Sequence, residues 1–170
     1  MFPVLIFALF VLSPSPPPAR AIPDVPFIPQ KKERCGPAAL AIVLHYYGAR
    51  VSPDDLAREV YRREISGTLN LDLLLAARRH GFDGQAAAGT PAELKGWIDR
   101  GVPVIVLLGL HPPQTVFHYA VVYGYDDAAR VFTLHSAKSP AAVLDYDEFA
   151  AAWAAASSWM LVVKRKDVWP

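Results

Sequence analysis

The spacing of apolar residues along the chain changes character near position 102. Before it, apolar residues recur within segments that carry helix start and stop signals. From Gly36 onward, Ala38, Ala39, Leu40, Ile42, Val43, Leu44, Tyr46 and Tyr47 follow one another with few polar breaks and end at Gly48. Such a run predicts a buried helix with a glycine C-cap. "SPDDLAREVYRR" opens with Ser52 as cap, Pro53 at the first helical position and acids in the first turn, and "NLDLLLAARRHG" sets Arg78, Arg79 and His80 ahead of Gly81. Both predict helices. In "TPAELKGWIDRG" Thr90 is the cap, Glu93 occupies the capping-box position and Gly101 lies past the end.

After position 102 the period shortens. "VPVIVLLGL", "TVFHYAVVYGYD" and "RVFTLHS" are short and rich in β-branched and aromatic residues, and the latter two bracket a turn at Asp126-Asp127. A short helix around Asp147 to Ala155 and a last strand in "SSWMLVVKR" follow. Helices first and strands afterwards predict an α+β fold, N-terminal helices packed on an antiparallel sheet.

The N-terminus fits neither pattern. "MFPVLIFALFVLSPSPPPARA" combines an apolar run, a Pro/Ser stretch and the A-x-A triplet Ala19-Arg20-Ala21, the grammar of a signal peptide over residues 1–21. The run from Phe2 to Leu12 is shorter than the roughly 20 apolar residues of a membrane-spanning helix, although no Lys or Arg precedes it. The expectation is export to the periplasm or the medium, no stable membrane anchor, and a domain over residues 22–170. Half the prolines precede position 30, so order is expected to begin near Val25. That length buries a core without disulfide or metal. Seventeen Lys and Arg against sixteen Asp and Glu leave a net charge of +1, with no basic stripe for nucleic acid.

Cys35, the single cysteine, cannot form an internal disulfide. Pro37 is tolerated only in a helix's first turn, which puts Cys35 at the helix start, where unpaired N–H groups and the dipole favour a thiolate. Polar residues Gln30 to Arg34 precede it, and Gly36 is expected to leave room for a substrate backbone. Alkylation well below the usual thiol pKa of about 8.5 follows. The alternative is an inert core cysteine.

A nucleophilic thiol needs a base. His45 lies about 15 Å along the same helix, His80 complements a helix C-terminus, His111 stands in the loop "LHPPQ" and His135 ends a strand. His118 sits in an alternating strand, with Phe117, Tyr119, Val121, Tyr123 and Tyr125 on one face and His118, Ala120, Val122 and Gly124 on the other. The small face is expected to take the Cys35 helix, which would bring the base to the thiol.

Pro29-Gln30 ahead of "CGPAALAIVLHYYG", followed by "GVPVIVLLGL" and "HYAVVYGYD", resembles the C39-like family of papain-fold cysteine peptidases, the bacteriocin-leader-processing enzymes and their stand-alone exported relatives, from about Pro26 to Val163. The resemblance implies a papain-like fold, a peptide or protein substrate, Cys35 as nucleophile, His118 as base and then acid, and Gln30 as oxyanion donor beside the Cys35 N–H. The family's third member, an Asp, is replaced by Ser136 in "LHSAKSP". Asp126 and Asp127 read as turn residues, Asp145 and Asp147 as strand-end and helix-start residues. Ser136 or a backbone carbonyl orients His118, or the pair acts as a dyad.

Other readings use the same residues. Papain relatives resembling phytochelatin synthases carry a similar "CGPA" element, which allows acyl or amide transfer. A non-catalytic peptide-binding domain would fit Ser136 but not a retained cysteine. A metal site lacks ligand grammar, and no cofactor is expected.

Overall fold

The computed structural model describes residues 19–31, 33–110, 116–136 and 138–166. Arg20–Ala21 forms β1, and α1 spans Cys35–Tyr46 with Gly36 to Leu44 all buried. Ser52 caps α2, Pro53–Val60, by accepting the Asp55 N–H. The chain then extends into β2, Tyr61–Arg62, which pairs antiparallel with β3, Gly67–Thr68. Helix α3, Asn70–Arg79, gives way to Gly81 at a φ of +87°, a left-handed turn suited to glycine. Strand β4, Phe82–Ala88, precedes α4, Pro91–Asp99, whose capping box joins Thr90 and Glu93 in both directions. Strands β5, Val104–Leu110, β6, Val116–Asp126, β7, Val131–Ser136, and β8, Ser139–Asp145, lead to α5, Tyr146–Ala154, and β9, Trp159–Arg165.

One antiparallel sheet runs in the order β4-β9-β5-β6-β7-β8, and β1 pairs with β6 beyond the end of β5. Alternation divides its side chains between two cores. Ile105, Tyr119, Val121, Leu161 and Val163 meet α1, α2 and α3 through residues such as Leu40, Leu56 and Leu73. Val104, Val106, Ala120, Val122 and Val162 meet α4 and α5 through Leu94, Ile98, Phe149 and Trp153. Burying each such aliphatic or aromatic side chain contributes roughly 1.5–3 kcal/mol.

Three expectations are corrected. Order begins before Val25, because Arg20 and Ala21 pair with Tyr125 and Gly124, and buried Ile22 donates its N–H to the Tyr123 carbonyl at 2.8 Å. The helices are interrupted by β4, which joins the sheet through β9. Most important, α1 packs on the Tyr119 and Val121 face of β6, not on the small face. Size complementarity explains this: α1 brings Ala39 and Ala41 to the core that holds the bulky strand face, while Ala120 leaves room for the large rings of α5.

Candidate active site

The site forms where α1 begins against the free edge of β6. Strand β6 pairs with β5 from Val116 to Val122, but with β7 only from Val121↔His135 onward. Tyr119 therefore has no β7 partner, and its N–H and C=O, which a strand residue directs to one side, meet side chains instead. The N–H hydrogen-bonds the Cys35 sulfur, and the C=O accepts from Gln30 Nε2 at 3.5 Å. Cys35 thus lies level with the sheet edge. That position lets His118, on the opposite face of β6 from Tyr119, border the same cleft.

The cleft measures about 820 Å³ and is lined by both Cys35 and His118. Its walls include Ile65, Thr68 and Leu69 from the segment between α2 and α3, Leu71 from the first turn of α3, and Phe117 from β6. Ile65, Leu69, Leu71 and Phe117 are each more than half exposed. On the far side of His118, Ser136 Oγ stands 2.9 Å from Nε2, the contact expected from the hairpin joining β6 and β7.

The space at Gly36 is already filled. A Cβ there would lie 3.0 Å from Thr68 Cβ, so the glycine admits β3 against the helix start and not a substrate backbone. Thr68 Oγ1 is buried there without a hydrogen-bond partner among the described residues. Tyr119 Oη, 2.5 Å from Asn70 Oδ1 and 3.1 Å from the Thr68 carbonyl, fastens this wall to β6.

Burial dominates the electrostatics. It pushes the Cys35 thiol above its ordinary pKa, with the N–H groups of Tyr119, Gly36 and Cys35 itself pulling partly back. Burial also holds the His118 imidazole below its ordinary value. Both shifts favour a neutral pair, which corrects the expectation of a thiolate formed by the helix start alone.

The other described histidines are occupied elsewhere. His45 Nε2 lies 2.8 Å from the Val51 carbonyl, and His80 pairs with Glu59. His111 lies outside the described residues. His135 is buried and bonded to backbone, a position its place at a strand end did not reveal. Tyr119 was likewise missed as a site residue, since its backbone makes the contacts and its side chain only signals a core position. Among the described residues no group of three His, Cys, Asp or Glu is placed to hold a metal ion.

The sequence profile of the Peptidase_C39 like family matches residues 22–160. The Lactococcin-G-processing and transport ATP-binding protein LagD of Lactococcus lactis subsp. lactis is 28% identical over 94 residues, which are 55% of this chain but only 13% of LagD. Among solved structures, the peptidase domain of Streptococcus ComA, a bi-functional ABC transporter of a quorum-sensing pathway, superposes with a TM-score of 0.70 at 23% identity, over 84% of this chain and 99% of that domain. A double glycine motif protease from an AMS/PCAT transporter, crystallised with the leader peptide, gives 0.69 at 23% identity, over 86% and 94%. At that identity the two structures establish the shared fold.

Proposed function

This chain belongs to the Peptidase_C39 like family, and from that premise we propose that it is an exported cysteine peptidase acting through an acyl-enzyme at Cys35. The carrying observation is the convergence of four side chains on one stretch of β6: Cys35 and Gln30 at the Tyr119 backbone, His118 beside them, and Ser136 on His118.

With Nε2–H donating to Ser136 Oγ, the lone pair of the neutral His118 ring resides on Nδ1, which serves as the base. As the Cys35 sulfur attacks the scissile carbonyl carbon, its proton passes to Nδ1, and the carbonyl oxygen gains charge that Gln30 Nε2–H and the Cys35 N–H stabilise. The C–N bond then breaks, the imidazolium gives its proton to the leaving amine, and a thioester remains. Water loses a proton to His118 and attacks the thioester, releasing the acid and restoring the thiol.

The apolar walls favour a peptide that presents apolar side chains, since covering Ile65, Leu69, Leu71 and Phe117 removes exposed hydrocarbon from water. Export rests on residues 1–21, of which 1–18 lie outside the described residues. Among the described residues no helix is long and apolar enough to cross a membrane.

The test is turnover of a quenched-fluorescent peptide library by the wild type, Cys35→Ala and His118→Ala, with products weighed in the presence and absence of an added amine. Cleavage by the wild type alone, yielding free acid, is expected. Amide products would indicate transfer, and binding without turnover would indicate a non-catalytic domain.

A further inference from the structure

His135 belongs to none of the steps above, yet it is 5% exposed and has both ring nitrogens bonded to backbone. Nε2 lies 3.1 Å from the Val25 carbonyl, and Nδ1 accepts the Ala141 N–H at 3.3 Å. With Ala141 donating to Nδ1, Nε2 is the nitrogen that donates to the Val25 carbonyl. Phe27 packs at 5.4 Å between centroids, and Tyr123 at 4.4 Å with the planes 34° apart.

Two irregularities in the sheet make this arrangement. The β6–β7 register shifts between Val122 and Gly124, leaving Tyr123 as the extra residue. The β7–β8 register shifts between Leu134 and Ser136, opposite Ala141, whose φ of 50° is a left-handed conformation rare for alanine. Bulges redirect side chains and N–H groups out of the ladder, and here both frame the same imidazole.

We infer that His135 is a positioning residue that holds Gln30 at the sulfur and steadies the strand end bearing Ser136; this rests on the peptidase reading. Segment 25–30 has no regular secondary structure, and His135 ties its start, Val25 and Phe27, to β7. Its other end carries Gln30, whose bond to the Tyr119 carbonyl is long at 3.5 Å. That bond alone holds the oxyanion donor loosely, so its aim depends on how the segment enters. The neighbour of His135 in sequence is Ser136, so one ring fixes the approach of both Gln30 and the group that touches His118.

The test is a mutant cycle on the best-cleaved library peptide. His135→Phe keeps the ring between Phe27 and Tyr123 and removes both polar contacts; His135→Gln keeps a donor for Val25; His135→Asn keeps an acceptor for Ala141 but does not reach Val25. The expected result is a loss in kcat of about tenfold to a hundredfold for Phe and Asn, with KM little changed, and recovery in Gln. In a Gln30→Ala background the Phe substitution should cost clearly less than in the wild type, because one of the two groups it positions is gone and only the Ser136 end still loses its support. An unchanged kcat in the Phe and Asn variants, or losses that multiply with Gln30→Ala, would overturn the inference. If Phe does not fold, the Gln and Asn comparison decides. If the wild type cleaves no peptide, the peptidase reading fails separately, and amide exchange at Phe27, Ile28 and Gln30 still decides the clamp: faster in Asn than in Gln upholds it, equal rates remove it.

Discussion

At Cys35 two effects oppose each other: a helix start and three N–H groups favour the thiolate, and burial against the cleft wall disfavours it. Burial is the larger, and at His118 it is the only resolved cause. The places of the two residues, Cys35 at a helix start and His118 within a strand, were legible in the sequence, because Pro37 fixes the helix start and the residues around His118 alternate. Their protonation was not, because it depends on how deeply the edge of β6 covers the sulfur. In the free protein, iodoacetamide labelling of Cys35 should therefore climb with pH through and beyond about 8.5, and a plateau near pH 6 would reveal a preformed ion pair. A lowered imidazole pKa means that the neutral base survives to lower pH, so kcat/KM should fall only below about pH 6.5. In Ser136→Asp the carboxylate favours imidazolium, and the same limb should move to higher pH; an unmoved limb would place the orienting group elsewhere.

Among the elements, those with local signals were read correctly. The Ser52 cap, the Thr90–Glu93 capping box and the β6–β7 hairpin all appear as their residues indicated. Strand β4 escaped because Ala86, Ala87 and Ala88 have little strand preference, and pairing along β9 decides their conformation. The face of β6 that receives α1 was misread because small strand residues were matched to the wrong helix; alternation gives two faces but not which layer covers each. The short β2–β3 hairpin also went unseen, although its packing explains Gly36. Gly36→Ala would push a methyl into Thr68, shift the wall bearing Ile65 and Leu69, and cost about 1–3 kcal/mol, read as a lower Tm. An unchanged Tm would mean that β3 yields freely.

On the scale of the whole molecule, the sheet is a platform whose two covered faces leave the cleft to an edge. The cleft opens where β6 outruns β7, and the segment that enters beside it brings Gln30, so residues far apart in sequence meet through strand lengths and two register shifts. Sequence order could not supply those lengths, and with them the role of His135 was hidden. The first described residues are drawn into the same architecture, since β1 and Ile22 extend the line of β5. The most direct measurement of the central claim is the intact mass of the protein acid-quenched during turnover of a cleaved peptide, followed by peptide mapping. The expected result is a transient adduct of the substrate's acyl half on Cys35, released by hydroxylamine and absent in Cys35→Ala. Turnover that persists in Cys35→Ala, or that proceeds with no adduct while other residues carry the acyl group, would contradict it.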